Sequence, residues 1–320
     1  MEYVQLGKTD LIVSRICFGC WQLSPAFWGE VPIDTWSEAV RAGIEAGVNF
    51  VDTADVYGNG LAETELGRVM TEAGLRDKIV LASKFYWHFE ADPRYPDTRH
   101  DRIIEACEHS LRRLQTDRID LYQIHAWDAL TRPDEVAAAL LRLQREGKIR
   151  WIGVSNLNPE QMRMYGQHFE INCLQPSYSL LVRDAEAAHL PYCLANRIGV
   201  IPYSPLYRGL LTGKYQPDHV FTDTRARDPL FRGKAFAHML EALHSLHPIA
   251  DRYGLTLPQL AIRWVLTHPA ITSAIVGIKD ADQIRSILPA ADGVLEPADW
   301  HRLADTVSTA RREALRLADS

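Results

Sequence analysis

The chain has 320 residues, 47% hydrophobic and 24% charged, the balance of a folded protein with a sizeable core rather than a disordered or fibrous one. Thirty-five Lys and Arg against 41 Asp and Glu give a net charge of −6, and no basic stripe runs along the chain, which argues against nucleic acid as a partner. No apolar stretch approaches the roughly 18 residues of a membrane span, and the N-terminal segment lacks the features of a secretory signal, so a soluble cytoplasmic protein is expected.

From the N-terminus, Tyr3 to Leu6 and Leu11 to Val13 flank a Gly7-Lys8 turn and predict a β-hairpin. Short apolar runs then alternate with amphipathic stretches. The runs lie at 15–19, 49–54, 78–84, 119–125, 150–156, 171–175, 199–204 and 271–277. The helical stretches lie at 34–46, 61–73, 100–114, 133–146, 158–168, 184–196, 238–252 and 280–288, with Asp34 as the expected cap of the first. Repeated strand-then-helix units with runs apolar on both faces predict an α/β fold, a single-domain (β/α)8 TIM barrel with strands buried between lumen and helices. Two extra helices are expected outside the repeat, at 256–267 and 297–315. No linker divides the chain, which reads as one domain over 1–320, and the connection after 204 is long enough to be functional.

Cys17 and Cys20 spell CxxC, but no second thiolate pair accompanies them, so no metal site is expected and reduced thiols are the default.

In a parallel barrel the active site forms at the C-terminal ends of the strands. Those ends carry Asp52 with Tyr57 five residues on, then Lys84, His125, the pair Ser155-Asn156, and Gln175. Singly, each has a structural explanation: a helix cap, an exposed amine, a hydrogen-bonded core histidine. Together, an acid, a phenol, an amine and an imidazole on consecutive strand ends make a cluster able to shift its own pKa values. An ammonium beside a phenol lowers the phenol's pKa toward neutrality, and a carboxylate keeps a buried ammonium charged. The set therefore reads as a proton donor to a carbonyl, with hydride from elsewhere. A Schiff-base role for Lys84 in an aldolase barrel uses the same residue differently.

The segment F-V-D-T-A-D-V-Y-G (50–58) with Lys84 and His125 resembles the catalytic tetrad of the aldo-keto reductases. The resemblance extends to FG-x-W (Phe18, Gly19, Trp21), E-x-E-L-G (Glu63 to Gly67), G-K-I-R-W-I-G-V-S-N (147–156) and S-P-L-x-R-G-L-L-T-G-K-Y (204–215). It implies a barrel binding NADPH, with NADH as the alternative, and a catalytic set of Asp52, Tyr57, Lys84 and His125. Ser155, Asn156 and Gln175 match positions that hold the nicotinamide carboxamide, and Tyr203 matches the residue stacking on its ring. Gly19, Cys20 and Trp21, with Asp52, match the nicotinamide-side wall, Cys20 standing where many relatives carry Thr. Ser204, Leu206, Gly209 and Lys214 match the segment over the pyrophosphate, within a cofactor-covering loop 204–237, and Arg225 is a candidate clamp further along it.

At the adenosine end Gly277, Lys279 and Gln283 match, but Ser286 and Ile287 replace the Glu and Asn expected there. Lys279, and secondarily Arg285, is a candidate partner for a 2′-phosphate. The substrate pocket is expected around Trp21, Tyr57, Trp87 and His125, with Trp28, Tyr86 and Trp127 nearby in sequence terms, and 85–99 as a lid or surface loop. The function implied is NADPH-dependent reduction of aldehydes or ketones. The alternatives are oxidation of a sugar or alcohol by the same groups, and a cofactor-sensing subunit like the potassium-channel β subunits. Partners are a small carbonyl, alcohol or sugar, and the chain is a monomer or homo-oligomer.

Overall fold

Alternation with period two along the apolar runs sets the architecture. The computed structural model describes residues 1–91 and 93–318. β1 (Tyr3–Gln5) and β2 (Ile12–Ser14) pair antiparallel as the predicted hairpin. Eight parallel strands follow: β3 (Ile16–Gly19), β4 (Phe50–Asp52), β5 (Val80–Phe85), β8 (Ile119–Ile124), β9 (Ile149–Ser155), β10 (Cys173–Gln175), β11 (Gly199–Val200) and β12 (Ala274–Gly277). Their order, β11-β10-β9-β8-β5-β4-β3-β12, is sequential around a curled sheet. The two edges meet, since the Ile275 N–H donates to the Pro202 carbonyl at 2.9 Å and Tyr203 bridges to Ile275.

One face of each strand points into the lumen, where Cys17, Phe50, Ala82, Leu121, Cys173 and Ile275 pack with Leu6, Leu11 and Val13 of the hairpin. The hairpin thus plugs one end of the barrel with apolar side chains, leaving the other end open. The alternate residues, such as Phe18, Val51, Leu81, Tyr122 and Leu174, face outward into the larger core beneath the helices.

Those helices are α1 (Pro25–Trp28), α2 (Ile33–Glu45), α3 (Leu61–Glu72), α4 (His100–Leu114), α5 (Pro133–Arg145), α6 (Pro159–Gly166), α7 (His189–Asn196), α8 (Gly233–His244), α9 (His247–Arg252), α10 (Leu257–Thr267), α11 (Ala281–Ile287) and α12 (Pro297–Ala318). Neighbours pack in ring order from α11 through α2, α3, α4 and α5 to α6. Asp34 lies inside the first turn of α2, whose cap is Pro32, so it favours the helix N-terminus by charge rather than by capping. The extra pair differs from expectation. α8 and α12 pack on each other, whereas α10 packs against β12 and α11 and completes a barrel unit. The helix expected over 238–252 is two, because Pro248 lacks the N–H a continuous helix would use and instead starts α9. The 85–99 segment carries a small hairpin, β6 (Trp87–His88) with β7 (Tyr95–Pro96). No helix among the described residues is long and apolar enough to cross a membrane.

Candidate active site

Two residues beyond the apolar lumen layer, the same strand faces turn polar. Phe50 is followed on its face by Asp52, Ala82 by Lys84, Leu121 by Gln123 and Cys173 by Gln175. β9 makes room for this layer with Gly153, where a Cβ would stand 2.9 Å from Cγ of Gln123.

Lys84 is fully buried, and its Nζ donates to Asp52 Oδ2 at 2.6 Å, to the Thr53 carbonyl at 2.8 Å and to the Tyr57 hydroxyl at 3.1 Å. The other carboxylate oxygen, Asp52 Oδ1, accepts from Gln123 Nε2 at 3.1 Å and Gln175 Nε2 at 2.9 Å. Burial alone would drive the Lys84 proton off, but Asp52 and Tyr57 outweigh it and its pKa rises above the ordinary lysine value. The amine is an ammonium, which rules against its acting as a free Schiff-base nucleophile.

The sequence led to the expectation of a Tyr57 pKa lowered toward neutrality. Burial instead pushes the phenol up to about 12, with Lys84 pulling in the opposite direction and losing. Tyr57 is therefore a protonated acid at neutral pH, with an ammonium placed to stabilise the phenolate once the proton leaves. His125 follows β8, its N–H donating to the Phe85 carbonyl at 3.0 Å and its ring edge-on to Tyr57 with centroids 6.0 Å apart. Burial, and secondarily Lys84, lowers its pKa to about 3, so the imidazole is neutral.

These groups open onto a cleft of about 1070 Å³. Gly19, Cys20, Trp21, Asp52, Ser155, Asn156 and Gln175 line it, as do Tyr203, Ser204, Leu206, Gly209, Lys214, Arg225, Gly277, Lys279 and Gln283. So do Tyr57, Trp87 and His125, while Lys84 sits behind Tyr57 in the wall. One end is aromatic: Trp21 lies 5.4 Å from Phe27, 5.2 Å from Trp28 and 6.3 Å from Tyr57 between ring centroids.

Next to the tetrad, Asn156 and Ser204 both adopt positive φ, 60° and 58°. Such backbone strain at non-glycine residues clusters at ligand sites. The Asn156 amide donates to the His125 carbonyl at 3.1 Å and to Ser155 Oγ at 3.0 Å, while its Oδ1 accepts from the Tyr203 hydroxyl at 2.9 Å. Gln175 commits its amide nitrogen to Asp52 and Gln123, so it braces the tetrad as well as lining the cleft.

Cations border the same aromatic group, the Arg225 guanidinium lying 6.0 Å from the Trp28 ring centroid. Arg225 is held by Asp223 and lies 2.7 Å from the Tyr215 hydroxyl, and Lys279 Nζ donates to the Trp28 carbonyl at 3.0 Å. Lys214, Arg225 and Lys279 all line the cleft, and burial, then the positive charges of Arg225 and Lys214, lower the Lys279 pKa against Asp223. Arg285 points elsewhere: it is 56% exposed, lies 3.7 Å from Asp282 and does not line the cleft. Ser286 and Ile287 do line it.

The sequence reading missed Gln123, although its even spacing from Leu121 and His125 put all three on one strand face. Arg208, paired with Asp228, and Arg94 were also missed, since neither sits at a strand end. The thiols of Cys17 and Cys20 are buried and unpaired, and burial raises both pKa values well above the ordinary thiol range.

The profile of the Aldo/keto reductase family matches residues 15–307, most of the chain. The chain belongs to that family of oxidoreductases. An aldo-keto reductase of Bacillus subtilis is 37% identical over 290 residues, covering 90% of this chain and 88% of the relative. An NADH-specific methylglyoxal reductase of Escherichia coli is 33% identical, covering 93% and 96%. Among solved structures, a glycerol dehydrogenase of Gluconobacter oxydans superposes with a TM-score of 0.88 at 32% identity, over 96% of this chain and 95% of that one. Members of this family use nicotinamide cofactors.

Proposed function

We propose that this aldo/keto reductase reduces aldehydes or ketones to alcohols, taking NADPH in preference to NADH, with Tyr57 as proton donor. The observation that carries the reading is the buried relay Asp52–Lys84–Tyr57 ending beside His125 in the cleft. The cleft suits an elongated, polyanionic dinucleotide. It exceeds the roughly 300–1000 Å³ of ordinary ligand sites and runs from the tetrad to the Lys214, Arg225 and Lys279 cluster. In this reading Tyr203 flanks the nicotinamide ring, Ser155, Asn156 and Gln175 meet its carboxamide, and the loop 204–237 covers the phosphates through Ser204, Leu206, Gly209 and Arg225. Gly277, Lys279 and Gln283 take the adenosine end. Among the described residues Asp52 is the only carboxylate lining the cleft, and it is consumed by Lys84. The acid near Lys279, Asp223, is tied up by Arg225, and a lysine at this part of the cleft supports a contact with a 2′-phosphate and hence NADPH.

When bound, the cofactor supplies the hydride. The chain's own residues manage the oxygen. The neutral imidazole of His125 orients the substrate carbonyl, and the Tyr57 hydroxyl gives its proton to the oxygen as negative charge develops there. The phenolate left behind is stabilised by the Lys84 ammonium, which Asp52 holds charged. Gln123 and Gln175 fix the carboxylate, so the relay is set before substrate arrives.

Mixing the protein with 4-nitrobenzaldehyde and NADPH tests this directly. One NADPH consumed per alcohol formed is expected, with kcat/KM higher for NADPH than for NADH and that ratio narrowed about tenfold in Lys279→Met. A ratio untouched by Lys279→Met contradicts the 2′-phosphate contact, and aldehyde left unreduced contradicts the function.

A further inference from the structure

Five cationic side chains line the cleft: Arg94, Arg208, Lys214, Arg225 and Lys279. Arg208 and Arg225 are each tied to a carboxylate, Asp228 and Asp223. Lys214 and Lys279 lie on the elements assigned above to the cofactor phosphates. Arg94 is different in place and in partnership. It is exposed on the connection between β6 and β7, the hairpin that directly follows β5 and brings Trp87 to the cleft. The register of that hairpin pairs Trp87 with Pro96 and His88 with Tyr95, and Trp87 and Arg94 are its residues that line the cleft. Among the described residues its guanidinium makes no hydrogen bond and no ion pair.

An unpaired guanidinium in a cleft that also carries Trp21, Phe27, Trp28 and Trp87 makes it a mixed site. It offers apolar area for the body of a ligand and a planar, bidentate donor for an anionic oxygen group at its end. The cofactor does not need this cation, because its phosphates are met elsewhere in the cleft.

We propose that Arg94 recognises an anionic group on the carbonyl substrate, so that the substrates are aldehydes or ketones with an apolar body and a carboxylate or phosphate distal to the carbonyl. This rests on the carbonyl-reduction reading above. Arg94 is a specificity-determining residue; it takes no part in proton or hydride transfer.

The test compares 4-carboxybenzaldehyde and 4-formylphenyl phosphate with the neutral methyl 4-formylbenzoate, in the intact protein, Arg94→Met and Arg94→Lys. At least one anion is expected to exceed the ester in kcat/KM by about tenfold, mostly through KM, and to lose that advantage as salt rises. Arg94→Met should abolish the ratio and Arg94→Lys should restore part of it; which anion gains more identifies the group. An ester as good as both anions, or a ratio unchanged in Arg94→Met, overturns the proposal while leaving carbonyl reduction in place. If none of the three aldehydes is reduced, the catalytic reading has failed instead. Binding of 4-(hydroxymethyl)benzoate and of 4-(hydroxymethyl)phenyl phosphate in the presence of NADP+, followed by tryptophan fluorescence, then decides the anion site. Binding of either that is lost in Arg94→Met supports it, and binding that is absent or unaffected by the substitution contradicts it.

Discussion

Tyr57 stands between two opposing pushes, burial that favours the neutral phenol and an ammonium 3.1 Å away that favours the phenolate. Burial wins in the free protein, with the pKa near 12, and His125 is held near 3. Both groups are then in the form that reduction needs, a protonated phenol and a neutral imidazole, across the whole neutral range. The sign follows: kcat/KM for reduction should be flat from about pH 5 to 9, while oxidation of the alcohol, which needs the phenolate, should rise as pH increases. A pH profile for reduction with a limb near the ordinary histidine value would contradict a neutral His125. The same buried pairing sets a stability cost. Lys84→Met leaves Asp52 without its ammonium in a buried site and should destabilise the fold by about 3–5 kcal/mol, read by urea unfolding. At this scale the sequence was informative where a residue closes a strand, as with Asp52, Lys84, His125 and Gln175. It was uninformative about the balance between burial and charge, which depends on how deeply Tyr57 sits, and about Arg94, whose place depends on a hairpin with no clear apolar alternation.

At the scale of elements, the barrel strands were legible because each is apolar on both faces, and their polar ends were legible because the lumen face turns from apolar to polar two residues further along, as from Phe50 to Asp52 and from Ala82 to Lys84. The helices between 205 and 267 were harder to place. Pro248 splits one pattern, and which of α8 and α10 belongs to the repeat is decided by packing partners that are remote in sequence. Helix contacts also explain one glycine. Gly67, in the middle of α3, faces the end of α4, and a Cβ there would overlap the Arg113 carbonyl and the Leu114 backbone. Backbone atoms cannot rotate away as a side chain can. Gly67→Ala should therefore destabilise by about 1–3 kcal/mol despite the better helix propensity of alanine, measured as a lowered denaturation midpoint.

For the molecule as a whole, closure of the sheet between β11 and β12 brings residues spread from Gly19 to Gln283 around one cleft, with the hairpin sealing the opposite end. The charge of this assembly is uneven. A protein with net charge −6 presents a cleft lined by Arg94, Arg208, Lys214, Arg225 and Lys279, the arrangement that draws in an anionic ligand. Composition alone hid that asymmetry, because the cations come from separate parts of the chain. The central claim, that the relay ending at Tyr57 delivers the proton, is tested most directly by Tyr57→Phe. The ring stays and only the hydroxyl is removed, so NADPH binding by fluorescence titration should change less than about twofold, while kcat for aldehyde reduction should fall about 10²- to 10⁴-fold. Retention of kcat within a few-fold of the intact protein would contradict the assignment of Tyr57 as the acid.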